Sequence, residues 1–193
     1  MIATKNAVEI RSMRAAGAIV GDVLRLMREM AEPGVRLRTL AKEAERHIRS
    51  AGATPTFKGY QGFPAAICLS VNEEAVHGLP SWRKLRAGDI LSVDVGATLD
   101  GWVGDSAITV AVGVCSEQAQ GVIAAAHDGL MAAIAAARVG ASIGDLGAAV
   151  EAIVRPRGYD ILREYCGHGI GRSLHEDPQV PNFGETGTGP IIA

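Results

Sequence analysis

Two aspartates, Asp94 and Asp105, lie in alternating apolar and polar runs on either side of an Asp100-Gly101 pair. An Asp-Gly pair between two such runs is typical of a two-residue β-hairpin turn. In that register Asp94 lies opposite Ala107 and Asp105 lies opposite Gly96. Both carboxylates would then project from one face of the sheet as diagonal neighbours, roughly 7–8 Å apart at the backbone.

Two carboxylates placed in this way can lean together onto a pair of metal ions about 3.5–4 Å apart. Without a cation, buried carboxylates would repel each other and keep a shared proton. The alternative is that both aspartates lie at a solvated end of the sheet or cap turns. The opposite face has the composition of a core and carries Val93, Val95, Ile108 and Val110.

Three of the five histidines lie in glycine-rich or turn-like sequence, namely His77, His168 and His175. Glycine on both sides of His168 allows a close backbone approach. The other two, His47 and His127, are predicted to lie on helices as surface or packing residues. Taken singly, each of the first three could be structural or catalytic. Imidazole together with carboxylates suits Mn, Fe, Co or Zn, whereas carboxylates and water alone would suit Mg or Ca.

Two amphipathic helices are predicted before these strands. Asn6 with Glu9 forms a capping box that opens the first helix, which continues to the stop at Pro33-Gly34. Its predicted inner face consists of Ile10, Met13, Gly17, Val20, Leu24 and Met27. The second helix ends at Gly52, and its predicted inner face consists of Leu37, Leu40, Ala44 and Ile48.

Two more helices are predicted after the strands. Residues 117–138 form an alanine-rich helix after a Ser116 cap, and its charged residues favour a well-packed helix of a soluble protein over a membrane span. Ser142 with Asp145 opens a fourth helix, whose predicted inner face consists of Leu146, Val150 and Ile153.

The second and fourth helices resemble each other at an offset of 106 residues, which superposes Gly34 on Gly140. The same offset superposes Gly52 on Gly158, Leu37 on Ile143, Leu40 on Leu146, Glu45 on Glu151 and Arg49 on Arg155. The alternative is coincidence between two helices with similar caps. Helix pairs beside antiparallel strands predict an α+β fold, a single domain over residues 1–193 with halves of about 1–115 and 116–193, and a site where the halves meet.

Composition limits the possible partners and the compartment. Nineteen basic and 21 acidic residues give a net charge of −2 without a run of like charge, so we expect neither a nucleic-acid nor a membrane partner. The N-terminus lacks a secretory pattern, which favours the cytoplasm. An odd number of cysteines with no metal-type pair spacing favours free thiols at Cys68, Cys115 and Cys166. We expect a monomer.

Three motifs carry a resemblance to a known family. The run from Tyr165 to Val180 reads YCGHGIGRSLHEDPQV and closely resembles the signature of type I methionine aminopeptidases. SVNEEAVHGLP at Ser70–Pro80 and the Asp94–Asp105 segment match that family in the same order. The resemblance implies the pita-bread fold of two pseudo-equivalent halves. It also implies a hydrolase that uses two divalent ions (Co, Mn, Fe or Zn) to remove the initiator methionine from nascent polypeptides.

The resemblance also implies roles for individual residues. Asp94 matches a ligand of one metal, Asp105 a bridge between two metals, and His168 a ligand of the second. His77 and His175 match histidines that contact the substrate and stabilise the tetrahedral intermediate. The positions that match the lining of the methionine pocket are Phe57, Tyr60, Phe63, Cys68 and Leu174.

The chain departs from the family pattern at its end. The family supplies two further glutamate ligands from strands beyond the segment that stops here at Ala193, and neither Glu176 nor Glu185 matches those positions. We therefore expect an incomplete metallopeptidase domain. One alternative is a catalytically impaired fragment or a non-catalytic peptide-binding relative. Another is an Xaa-Pro aminopeptidase or prolidase, which the continuous HGIGRSLHEDP run disfavours.

Overall fold

A computed structural model describes residues 2–193. The chain forms two compact units. The larger unit consists of Lys5–Ala119 together with the short segment Ile170–Leu174. The smaller unit consists of residues 2–4, Gln120–Gly169 and His175–Ala193.

Helix α1 (Ala7–Met30) begins at the predicted cap, because the Asn6 side chain accepts from the backbone of Val8 and Glu9 and the Glu9 carboxylate accepts from Asn6. The predicted inner face is only partly correct. Its buried residues are Ala16, Ile19, Val20, Val23, Leu24 and Met27, whereas Ile10 is 43% exposed. Gly104 explains the shift, since a Cβ there would lie 2.7 Å from the Ala16 carbonyl carbon, so α1 meets the sheet backbone at Ala16.

Helix α2 (Leu37–Ser50) buries the four residues predicted for its inner face. Its C-terminal end follows the prediction too, because Gly52 adopts a left-handed conformation with φ of 79° and donates to the carbonyl of Arg49. Both helices pack against the sheet of the larger unit.

That sheet is antiparallel and contains β1 (Thr54–Pro55), β2 (Ile67–Val71), β3 (Ile90–Leu99) and β4 (Trp102–Ala111). Strand β3 pairs with each of the other three. The predicted hairpin is confirmed, with Asp94 opposite Ala107 and Gly96 opposite Asp105. The opposite face is core, as predicted, because Val93 and Val95 are fully buried and Val110 is nearly so.

Helix α3 (Glu117–Ala136), most of which belongs to the smaller unit, differs from its prediction. Ser116 caps its start, but only Ala125 and Gly129 are buried among the described residues, and Leu130, Met131 and Ile134 are about half exposed. The prediction of a well-packed helix is therefore wrong. By length and composition alone α3 could also cross a membrane, a criterion that core helices of soluble proteins meet as well.

Helix α4 (Ile143–Val154) begins at the predicted Ser142–Asp145 capping box. Its buried residues are Ile143, Gly147 and Val154, whereas Leu146, Val150 and Ile153 are only partly buried, so the predicted inner face is displaced. The reason is close backbone packing, since a Cβ on Gly147 would collide with the Phe183 carbonyl. The unit also contains the antiparallel pair β5 (Cys166–Gly169) and β6 (Glu176–Pro181).

The starts of α2 and α4 share a pattern of backbone hydrogen bonds. Gly34 and Gly140 both have left-handed φ values, of 93° and 89°. The same four N–H to carbonyl bonds occur at both starts. At α2 they run from Gly34 to Leu85, Leu37 to Arg83, Arg38 to Ser81 and Leu85 to Val35. At α4 they run from Gly140 to Ile192, Ile143 to Pro190, Gly144 to Thr188 and Ile192 to Ala141. Coincidence between helix caps would not also reproduce the hydrogen bonds to a second segment of the chain. We therefore propose that the chain contains an internal repeat.

Candidate metal and peptide site

The two aspartates lie together on the outer face of the β3–β4 hairpin. Both side chains are half-buried, and a hydrogen bond joins their carboxyl groups. Burial, and then the charge of Asp105, raise the pKa of Asp94 to about 7. A carboxyl pair that holds a proton near neutral pH is a place where a cation can replace that proton, so this pair fits a divalent metal.

The raised pKa of Asp94 predicts how stability depends on pH without metal. Between about pH 4 and pH 7 the folded state keeps a proton that the unfolded state has released, so the free energy of unfolding falls as pH rises through this window. In Asp94→Asn this loss is absent. In chelator-treated protein we expect the free energy of unfolding of the wild type to fall by about 2–4 kcal/mol more than that of Asp94→Asn between acidic and mildly alkaline pH. Urea unfolding at each pH measures this, and parallel profiles would contradict it.

An apolar cluster adjoins the carboxyl pair. Cys68 lies opposite Asp94 on β2 and packs with Phe57, Val103 and Leu174, with Phe63 against them. Burial raises the pKa of the Cys68 thiol to about 12, and the charges of Asp94 and Asp105 add to the effect, so the thiol is neutral. All three cysteines are thiols rather than disulfide-bonded, as predicted.

Four of the five predicted pocket residues thus lie together, whereas Tyr60 is 37% exposed and lies outside the cluster. Val103 also belongs to this apolar cluster, and the sequence reasoning did not name it. Its signal was available, because a residue two positions before Asp105 on a strand points to the same face. Gly96 makes room for Phe57, since a Cβ there would lie 2.5 Å from the ring.

The segment Ile170–Leu174 is fastened to the β3–β4 hairpin. The Val103 N–H donates to the Gly171 carbonyl at 2.9 Å. The Arg172 guanidinium lies 3.9 Å from the centroid of the Trp102 ring and donates to the Asp100 carbonyl at 3.3 Å. Neither Trp102 nor Arg172 was predicted to take part in the site. Together they fix the position of Leu174 against the apolar cluster.

His168 and His175 form a second pair, in the smaller unit. Their ring centroids are 4.1 Å apart. The Nδ1 atom of His168 lies 2.9 Å from the Gly169 carbonyl oxygen, which makes Nδ1 the protonated nitrogen. In the neutral ring this tautomer has its lone pair on Nε2, as a metal ligand requires. Gly169 is required here, because a Cβ would collide with the Asp177 carbonyl.

His77 is exposed on the loop after β2 and has a left-handed φ of 58°. The next residue holds the loop to the strand, because the Gly78 N–H donates to the Ser70 hydroxyl at 3.0 Å and the Gly78 carbonyl accepts from Leu69. A Cβ on Gly78 would collide with the Leu69 carbonyl. The backbone around His77 is therefore constrained although its side chain is exposed.

The carboxyl pair and the imidazole pair belong to different units. Across residues 2–193, no three His, Cys, Asp or Glu side chains form a group that could hold a metal ion. The assignment of Asp94, Asp105 and His168 as joint ligands therefore stays a prediction.

Comparison with known proteins places the chain in a family. The sequence profile of metallopeptidase family M24 matches residues 11–192. The chain belongs to this family. A methionine aminopeptidase from Clostridium acetobutylicum is 46% identical over 193 residues, which cover 100% of this chain and 77% of the relative. Methionine aminopeptidase 1 from Mycobacterium tuberculosis is 44% identical, with coverage of 100% and 75%.

Solved structures of M24 enzymes agree with the fold. Methionine aminopeptidase from Rickettsia prowazekii superposes with a TM-score of 0.98 at 35% identity, covering 100% of this chain and 78% of that one. Prolidase from Pyrococcus furiosus superposes with a TM-score of 0.82 at 25% identity, covering 94% and 53%. The fold is therefore the M24 pita-bread fold, and divalent metal ions are the cofactors of the family.

Proposed function

We propose that this M24 chain acts as a methionyl aminopeptidase that removes the initiator methionine from nascent polypeptides. The observation that carries the proposal is the coupled Asp94–Asp105 carboxyl pair beside a neutral, apolar cluster. The pair offers a place for metal, and the cluster offers a place for one apolar side chain. The 46% identity to a methionine aminopeptidase supports this combination.

Asp94 would bind one divalent ion, Asp105 would bridge two, and Nε2 of His168 would bind the second. Carboxylate and imidazole ligands suit Co, Mn, Fe or Zn. When bound, such ions act as Lewis acids that polarise a carbonyl group and activate water.

Other side chains act on the peptide. His175 donates a hydrogen bond to the carbonyl oxygen of the first peptide bond, where negative charge develops during attack by water. His77 holds the amide of that bond in position from its constrained loop. Both histidines hold the bond in place while the side chain of the first residue enters the apolar cluster.

The apolar cluster selects methionine. The rings of Phe57 and Phe63 suit a flexible, polarizable thioether, because sulfur makes favourable contacts with aromatic groups. The neutral Cys68 thiol adds no charge to the pocket. We place the protein in the cytoplasm, where nascent chains with a free N-terminus are found. We propose that it is a monomer.

The test is hydrolysis by the protein that carries this sequence, loaded in turn with Co, Mn, Fe or Zn. We expect release of free methionine from Met-Ala-Ser and no release from its N-acetylated form or from Leu-Ala-Ser. An Ala-Pro-Ser peptide tests the prolidase-like alternative, and preferential cleavage of that peptide would overturn the proposal. Binding of Met-Ala-Ser without turnover under every metal would favour the non-catalytic alternative.

A further inference from the structure

A basic surface with an exposed indole lies at the start of α2 and consists of residues to which the proposed function assigns no role. We call it the Trp82 patch, and it consists of Arg36, Arg38, Trp82, Lys84 and Arg86. Trp82 is 66% exposed. The guanidinium carbons of Arg38 and Arg36 lie 4.6 and 5.6 Å from the centroid of its ring.

The backbone holds the two segments of the patch together. Arg36 and Lys84 form an antiparallel bridge. The Leu37 N–H donates to the Arg83 carbonyl at 3.1 Å, and the Arg38 N–H donates to the Ser81 carbonyl at 3.0 Å. The side chains of the patch therefore project from a fixed backbone, which lowers the entropy cost of binding.

The charge of the patch is not neutralised within the chain. Arg36, Arg38, Lys84 and Arg86 are exposed, and none of them forms an ion pair with another residue between 2 and 193. The neighbouring Arg83 lies 3.9 Å from the Asp89 carboxylate. Salt screens exposed charges beyond about 8–10 Å, so a partner close to the patch meets these cations rather than the net charge of the whole chain.

We propose that the Trp82 patch binds RNA. Its arginine and lysine side chains would contact phosphates, and an unpaired base would stack on the layer formed by Trp82 and its arginines. An acidic polypeptide would use the cations but not the indole. A bilayer would take up the indole only together with the two guanidinium groups on it, which are costly to bury. The proposal revises the expectation of no nucleic-acid partner, which rested on net charge and on the lack of a run of like charge.

The experiment measures fluorescence anisotropy of a labelled oligouridylate of about ten nucleotides. We expect the logarithm of the binding constant to fall with the logarithm of salt concentration with a slope of about −2 to −3, as three or four phosphate contacts on a single strand would give. Trp82→Ala should weaken binding about tenfold and Trp82→Phe by about threefold or less, because Phe keeps an aromatic face. The double variant Arg38→Glu/Lys84→Glu should weaken binding by more than about tenfold.

Arg14→Glu is a charge-reversal control, because Arg14 is exposed on α1 and does not belong to the Trp82 patch. It should bind RNA as wild type does, and all variants should release methionine from Met-Ala-Ser at the wild-type rate, which shows that they are folded. Equal RNA binding by wild type and the patch variants would overturn the proposal. So would tighter, patch-dependent binding of polyglutamate or of phosphatidylserine vesicles, which would assign the surface to an acidic polypeptide or a bilayer.

Discussion

Asp94→Asn is expected to abolish activity and metal binding together. The Asp94 carboxyl is coupled to that of Asp105, and an amide in its place removes the negative charge that a divalent ion would neutralise in place of a proton. Metal ions contribute several kcal/mol to such reactions, so methionine release should fall by at least about 10³. Metal content by mass spectrometry and peptide hydrolysis, measured on the same preparation, test both parts.

Asp100→Asn provides the control on the same hairpin. Asp100 is exposed in the turn with φ of 50°, a conformation that asparagine also tolerates, so metal content and activity should both stay at wild-type values. His168→Ala should behave like Asp94→Asn if His168 binds metal through Nε2. Two bound metals and near-normal activity in Asp94→Asn would remove Asp94 from the ligand set.

His175→Ala is expected to lower kcat by roughly 10²–10³ while metal content stays unchanged. That factor is the usual effect of losing one hydrogen-bond donor to a developing oxyanion. His175 is exposed, and its ring lies 4.1 Å from that of His168, so the two neighbouring histidines should give opposite results for metal content. Steady-state kinetics on Met-Ala-Ser and metal analysis of both variants measure the difference.

His127→Ala is the control for histidine substitution. His127 is exposed on α3, where its ring lies 3.2 Å from the Asp128 carboxylate, so its loss should change neither kcat nor metal content. Loss of metal in His175→Ala would make His175 a ligand. An unchanged kcat in that variant would show that it is not the oxyanion donor.

Local signals predicted much of the fold. The Asn6–Glu9 and Ser142–Asp145 capping boxes and the Asp100-Gly101 turn depend only on residues a few positions apart, whose side chains and backbone must meet whatever surrounds them. The hairpin register followed from the turn, and the strand period of two then put Asp94 and Asp105 on one face. The family resemblance added the roles of the histidines and the pocket residues.

Burial was predicted less well, because it depends on which element covers a helix. The inner face of α1 was misplaced because Gly104 admits the backbone at Ala16, a contact between residues 88 positions apart. The inner face of α4 was misplaced because Gly147 packs on the Phe183 carbonyl. In both cases a glycine on one side of the contact decided which stripe is buried, and helical periodicity alone carries no information about such a partner.

The sequence by itself determined the family, the paired carboxylates and the candidate histidines, because these depend on residue type and on spacing within short motifs. Only the tertiary structure decided that Arg172 lies on Trp102 and that Arg36 and Arg38 lie on Trp82. Arg36 and Lys84 are 48 positions apart and meet only because the loop after β2 pairs with the start of α2. Net charge is a sum over the whole chain and does not show which charges are neighbours. Binding depends on the charges that folding brings within a few ångströms of one another.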